Sequence, residues 1–182
     1  MMSKPTKVLA WHCINTSRKL GYGDGREVKA GRVLTVDEPD RISLCSYGLH
    51  ASERLADALS YARTPIVCRV ELSGNIIRGD DKLVASKRKC LWMVDATRTL
   101  RLWAVWCAER ALKNERKAGR EPDARCWKAI EVTRKFLNGK AQIDELIAAQ
   151  KAAANAAARN KETDAQNRKL EAMVIALKRG GK

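Results

Sequence analysis

The fold is decided first by residues 66–72, which read IVCRVEL. β-Branched and apolar residues dominate this stretch, and its second half alternates apolar with charged side chains, as in a strand with one buried face. Before it, residues 53–62 carry leucine and alanine at helical spacing behind Ser52, a residue suited to cap a helix. Pro65 separates the two segments. These residues predict a short helix followed by a strand.

Short apolar runs predict further strands around this helix–strand pair. They lie at residues 8–14, 32–36, 75–78, 83–85 and 90–94. Turn-forming residues separate them, most clearly GYGDG at 21–25, DEPD at 37–40, Gly74 and the Asp80-Asp81 pair. The first half therefore predicts a small mixed or antiparallel sheet with one short helix.

The second half is predicted to be helical. A helix over about 97–117 is expected to bury Leu100, Trp103, Cys107 and Ala111. Pro122 starts a second helix, which Asn138-Gly139 ends. Residues 141–178 contain no glycine or proline, and one unbroken helix of that length would extend about 57 Å.

These elements predict an α+β protein in three segments. Residues 1–96 form a strand-rich α/β domain, residues 97–139 form two helices packed on it, and residues 140–182 form a long alanine-rich helix. Large apolar residues lie at both ends of that last helix, whereas its middle is alanine. We expect it to be anchored at its ends or to form a homodimer through residues 141–178.

Composition excludes several classes of protein. The 182 residues are 45% hydrophobic, which is enough for a packed core. No apolar run is long enough to span a membrane, and no signal-peptide segment follows the N-terminal lysines, so we expect a cytoplasmic protein. Six cysteines without CxxC spacing predict buried thiols in a reducing compartment and no metal site. The formal net charge of +15 favours polyanionic partners.

Several motifs resemble those of a family of small phage and prophage proteins. They are GLHAS at 48–52, DAL.YA at 57–62 and DKLVA at 81–85, followed by an alanine-rich tail. The resemblance covers nearly the whole chain. It implies a phage or prophage origin, and therefore the cytoplasm of a bacterial host, but it implies no particular activity.

A second resemblance is to the ADP-ribosyltransferase fold. His12 lies on an early predicted strand and His50 on a strand that leads into a helix, and they are the two histidines of the chain. The resemblance implies that one would bond a ribose of NAD and the other would face the nicotinamide. They are thus the candidate catalytic residues, and NAD is a cofactor under this alternative alone. The competing interpretation is that each histidine is structural.

Basic residues form the other candidate site. Two clusters are predicted to bind nucleic acid or an acidic partner: Lys87, Arg88 and Lys89, and then Arg110, Lys113, Arg116, Lys117 and Arg120. Arg110, Lys113 and Lys117 are spaced i, i+3 and i+7, so a helix would place them on one face that can follow a phosphate backbone. A solvated charged face is the competing interpretation. Tryptophans can stack on bases, but Trp103 and Trp127 are predicted to pack in the core.

The predicted function is that of a phage accessory protein which binds rather than catalyses and needs no cofactor. Its partner would be nucleic acid, or an acidic host protein such as a nucleoprotein or defence complex. Inhibition of host defence, as by an anti-CRISPR protein, is one form of this function. Two alternatives stay open: an NAD-dependent ADP-ribosyltransferase-like enzyme, and a structural or assembly protein that uses the long helix.

Overall fold

The computed structural model describes residues 7–61 and 65–156. Its strands are β1 (Val8–Ile14), β2 (Val33–Thr35), β3 (Leu49–Ala51), β4 (Ile66–Arg78) and β5 (Leu83–Asp95). Its helices are a 3-10 turn at Pro39–Arg41, α1 (Leu55–Tyr61), α2 (Thr97–Lys117) and α3 (Ala124–Leu137), and residues 143–156 are also helical. The strands precede the long helices, which confirms the predicted α+β class.

The five strands form one antiparallel sheet in the order β1-β4-β5-β2, and β3 also pairs with β5. β2 lies opposite residues 87–89 of β5, whereas β3 lies opposite residues 83–85. Ser52, directly after β3, exchanges two backbone hydrogen bonds with Trp11 of β1, at 2.7 and 2.9 Å. The sheet therefore bends until the end of β3 reaches β1, and this bend creates the groove described below.

The β4–β5 hairpin is longer than predicted. Each strand has 13 residues, and the predicted turn at Asp80-Asp81 joins them. The prediction that Gly74 ends a strand is wrong, because the ladder continues past it with a shift of register. Gly74 has a φ of +76°, and a Cβ there would lie 2.2 Å from Ser86 Oγ. A bulge thus absorbs the extra residue, and only glycine fits it.

The core of the sheet lies on its inner face. Its buried residues are Val8, Ala10, Ile14, Val28, Leu34, Leu49, Ala51, Ile66, Cys68, Val70, Leu72, Leu83, Ala85 and Cys90. Those on the strands are mostly every second residue, since successive side chains of a strand point to opposite faces of the sheet. Burying a side chain as large as that of Leu72 contributes about 1.5–3 kcal/mol.

Helix α1 begins later than predicted. Ser52 is 1% exposed and its backbone is bonded to Trp11, so it does not cap the helix, which begins at Leu55. The predicted end of this helix at Ala62 lies outside the described residues. Ser52 instead pairs with β1, and the helix begins three residues after it.

The chain divides into two compact units, Met1–Thr97 and Arg98–Lys182, here called the sheet unit and the helical unit. In the helical unit, Asp123 caps α3 by accepting a hydrogen bond from the Arg125 N–H at 2.9 Å. No helix of the described residues is both long and apolar enough to cross a membrane. The predicted helix beyond residue 156, and with it most of the predicted dimer surface, lies outside the described residues.

Candidate functional site

A groove of about 1170 Å³ opens in the sheet unit where β1 and β3 meet. Its walls come from residues 11–15, residues 45–52 and much of the 19–26 loop. His12 of β1 and His50 of β3 both line it. The structure therefore brings together two histidines that are 38 residues apart in the sequence.

The His12 imidazole is held neutral. Its Nε2 atom is buried and has no hydrogen-bond partner among the described residues. Burial is the main reason that the pKa of His12 lies well below the usual value of 6.5, and the positive charges of Arg88 and His50 lower it further. A neutral ring offers one N–H donor and one acceptor, so His12 presents an unused polar atom at neutral pH.

His50 already has a structural role. Its Nε2 accepts a hydrogen bond from the backbone N–H of Cys45 at 3.1 Å, and Cys45 has a left-handed φ of +64°. Burial lowers the pKa of His50, as is required for a ring nitrogen that accepts a bond. His50 thus stabilises the turn that carries Tyr47 to the edge of the groove.

Arg88 differs from its predicted place in an exposed basic cluster. Lys87 and Lys89 are exposed, but Arg88 is 3% exposed. The three residues lie on β5, and the two-residue period of a strand turns the middle side chain inward. The structure thus places Arg88 in the interior, apart from Lys87 and Lys89. Its spacing of two residues from apolar Cys90 was the signal in the sequence that could have found this.

The Arg88 guanidinium reaches the groove from the core. Its Nη1 donates to the carbonyl oxygen of His50, while its Nη2 is buried without a partner among the described residues. Burial lowers the pKa of Arg88 to about 10, so the group still carries its charge at neutral pH. A buried positive charge thus faces a groove that also holds neutral His12.

The rim of the groove carries further charged and aromatic side chains. Arg26 donates to both carboxylate oxygens of Asp24, with Nε and Nη2 each 2.7 Å away. The Lys82 ammonium lies 4.4 Å from the ring centroid of Tyr61. These residues come from separate elements, and no local pattern connects them, so sequence reasoning missed them. Within residues 7–61 and 65–156, no three His, Cys, Asp or Glu side chains are placed to hold a metal ion.

The six cysteines are free thiols, but they are not all buried as predicted. Cys13, Cys68 and Cys90 are buried, Cys107 and Cys126 are half-buried, and Cys45 is exposed. The prediction is wrong for Cys45 because it lies in the turn held by His50 rather than in a strand.

A second candidate site lies on α2 in the helical unit. We call it the α2 stripe, and it consists of Trp103, Trp106, Arg110, Lys113 and Lys117. Its members follow one another at three or four residues, so they share one helical face. All five are exposed, the two tryptophans by 48% and 54%. The guanidinium of Arg110 lies 5.3 Å from the Trp106 ring centroid.

The burial of α2 differs from the prediction. Trp103 and Ala111 are exposed, and the buried residue is Val105. Residues 102–108 read LWAVWCA and are apolar on every side of the helix, so spacing alone could not select the packed face. Trp127 of α3 is half-buried, closer to what its spacing predicts.

Arg116 and Arg120, the remaining predicted cations, have partners within the helical unit. Arg116 donates to Glu121, with its Nη2 2.6 Å from the carboxylate, and its guanidinium lies 4.6 Å from the Trp127 ring centroid. Arg120 donates to Glu115 at 2.6 Å. Their charges are thus neutralised locally, whereas no carboxylate of the described residues pairs with Arg110, Lys113 or Lys117.

Two family models match the chain. Residues 29–102 match the model described as "Domain of unknown function (DUF7666)". Residues 93–177 match the model described as "Imm-5 like putative immunity protein". The helical half is similar to an immunity-type family. No curated protein and no solved structure matches the chain.

Each of the two family models covers a different candidate site. The first covers His50 and Arg88 but not His12, and the second covers the α2 stripe and extends past the described residues. Both are compatible with the phage-type family that the motifs resemble. Neither is a model of an ADP-ribosyltransferase.

Proposed function

We propose that this chain is an accessory protein that acts by binding, and that its helical unit binds single-stranded nucleic acid through the α2 stripe. The nucleic acid would be free or part of a host nucleoprotein or defence complex. The observation that carries the proposal is the alignment of exposed tryptophans with unpaired cations on one helical face. The match to an immunity-type family supports an accessory role.

The stripe has the dimensions that such a strand needs. From Trp103 to Lys117 it extends about 21 Å at 1.5 Å per residue. Aromatic faces accept bases of any sequence, at about 1–3 kcal/mol for each stacked base, while cations in line with them neutralise phosphates. Trp106 already stacks with Arg110, which leaves its other face for a base.

The charges of the stripe are available because nothing in the described residues neutralises them. Several other basic residues of the helical unit are paired, as Arg134 is with Glu109 at 2.8 Å and Lys135 with Glu131 at 2.6 Å. Unpaired cations release counterions when they meet phosphates, and the binding that results weakens with salt. The three cations of the stripe are thus expected to attract a polyanion.

Fluorescence anisotropy of a labelled oligothymidine of about 20 nucleotides tests the proposal, between about 50 and 200 mM salt. The double variant Lys113→Gln/Lys117→Gln should bind more weakly, and the slope of log K against log salt should become less steep by about 1.4. The double variant Arg116→Gln/Arg120→Gln is the matched control: it removes the same charge from residues that are already paired, and it should bind almost as the wild type does.

A second variant separates stacking from charge. Trp106→Ala should weaken binding by about 1–3 kcal/mol, and the wild-type tryptophan fluorescence should be quenched by the oligonucleotide. If the chain binds polyglutamate as tightly as oligothymidine, and Trp106→Ala has no effect, the partner is an acidic protein. Absence of binding to the oligonucleotide at the lowest salt would overturn the proposal.

The NAD-dependent alternative rests on the groove that His12 and His50 share. Against it, His50 Nε2 already accepts a hydrogen bond from the Cys45 N–H. Calorimetric titration with NAD tests it directly. Heat of binding that is lost in His12→Ala would support it, and no heat at millimolar NAD would end it.

A further inference from the structure

The sheet unit contains a charge without a counter-charge. Arg88 is 3% exposed and remains protonated at neutral pH, yet it makes no ion pair with a carboxylate of the described residues. The groups that favour its charged form are, in decreasing order, the Cys68 and Cys90 thiols and the Asp24 carboxylate, and both oxygens of Asp24 are bonded to Arg26. Arginine is almost never fully buried unless it is paired, so this position calls for a physical reason.

A hydrogen bond holds one side of the Arg88 guanidinium in place. Its Nη1 donates to the His50 carbonyl, its buried Nη2 has no partner among the described residues, and Arg88 is one of the residues that line the groove. A guanidinium held at Nη1 can donate from Nη2 to one oxygen of a carboxylate or phosphate, and its charge strengthens that hydrogen bond. Because the His50 carbonyl already holds the Arg88 side chain, less conformational entropy is lost on binding than with a mobile arginine.

His12 supplies a second unused polar atom to the same groove. Its Nε2 is buried and unpaired, like Arg88 Nη2, and the ring is neutral. A neutral imidazole can carry its proton on Nε2 and donate it to an oxygen, without adding a second buried charge. Two orphaned donors in one groove are explained together by one bound acceptor group.

The groove is too large for an inorganic ion alone. At about 1170 Å³ it is slightly larger than the usual small-molecule site, which has a volume of about 300–1,000 Å³. Tyr22, Tyr47 and Tyr61 line it, and each is exposed by more than a third. Lys19 and Lys82 add positive charge. An organic body with an acidic group fits this combination of aromatic walls and basic interior.

We propose that the groove binds a small organic acid, whose carboxylate or phosphate group accepts hydrogen bonds from Arg88 Nη2 and His12 Nε2. His50 is a positioning residue in this site, since it holds Arg88 through its carbonyl and the Tyr47 turn through its ring. The site lies within the sheet unit and uses no residue of the α2 stripe, so it stands whether or not the helical unit binds nucleic acid.

The test uses the full chain with three probes and a neutral control. Benzoate and phenyl phosphate carry the two oxyanions on one ring, inorganic phosphate lacks the ring, and benzamide has the shape of benzoate without its charge. Binding is measured by calorimetry and by the rise in melting temperature. We expect at least one aromatic anion to bind more tightly than phosphate, and benzamide not to bind. The tighter aromatic probe identifies the acidic group.

Variants connect the binding to Arg88. Arg88→Met should weaken binding by at least about tenfold, as expected for loss of a hydrogen bond from a charged group, without lowering the melting temperature of the free protein, since an unpaired buried charge is removed. Arg88→Lys keeps the charge but loses the planar guanidinium, and it should also weaken binding. This variant replaces Arg88→Met in the test if Arg88→Met does not fold. Lys89→Met, on the outer face of β5, is the control and should bind normally.

The outcomes are distinguishable. Anion binding that Arg88→Met or Arg88→Lys weakens and Lys89→Met preserves supports the site. If no anion binds at millimolar concentration, or if the Arg88 variants bind as tightly as the wild type, the proposal is overturned. In that case Arg88 serves only to anchor the His50 carbonyl.

Discussion

Titration of His12 should make the stability of the sheet unit fall in weak acid. Its pKa is well below 6.5 in the folded chain because the ring is buried and faces the charge of Arg88. The unfolded chain, in which the ring is hydrated, takes up the proton near pH 6.5. Below that pH the unfolded state therefore binds more protons than the folded state, and the free energy of unfolding decreases as the pH falls.

The size of the effect follows from this difference in proton binding. If the folded pKa of His12 lies below the range of the measurement, lowering the pH from about 7.5 to about 5.0 should cost about 2 kcal/mol. The loss begins as the pH passes the unfolded value and stops where the folded ring is finally protonated. His50, whose pKa is also lowered, adds a loss of the same sign. Because the chain has two histidines, few other groups titrate in this range.

The pH dependence of the free energy of unfolding is measured by urea unfolding at several pH values, in the wild type and in His12→Gln. Glutamine keeps a polar group near the position of Nε2 but does not titrate. The variant will differ in stability at neutral pH, so the quantity to compare is the change between the two pH values. We expect the variant to lose about 2 kcal/mol less than the wild type does. Parallel curves for the two proteins would refute the reasoning, because they would show that His12 is protonated as readily in the folded state.

Two further variants test the fold. Leu72 is fully buried, so Leu72→Ala should lower the free energy of unfolding, measured in urea, by about 2–5 kcal/mol. A loss below about 1 kcal/mol would mean that the core around β4 is not packed as described. Gly48→Ala should cost about 1–3 kcal/mol, since φ is +127° and the new Cβ would lie 2.3 Å from Val84 Cγ2. Gly23→Ala, at φ +83° but with nothing within 4 Å, should cost less, and equal losses would contradict the close approach of Gly48 to β5.

The sequence pattern predicted an element correctly where neighbouring residues alone determine its structure. The apolar run at residues 66–72 became part of β4, the Asp80-Asp81 pair became the hairpin turn, and the alanine- and leucine-rich second half became helices. The common face of Arg110 and Lys113 follows from helix geometry alone. Local pattern failed at Gly74, because whether a glycine ends a strand or forms a bulge depends on the partner strand that faces it.

The sequence by itself determined the α+β class and the spacing of side chains along each element. Only the tertiary structure decided which faces are covered. It left Arg88 buried with one polar atom unpaired among the described residues, and it left Trp103 exposed on a helix segment that is apolar on every side. It brought His12 to His50 through the Trp11–Ser52 bridge, a contact across 41 residues of chain. Such contacts depend on how a sheet bends and closes, and the periodicity of a single segment carries no information about that.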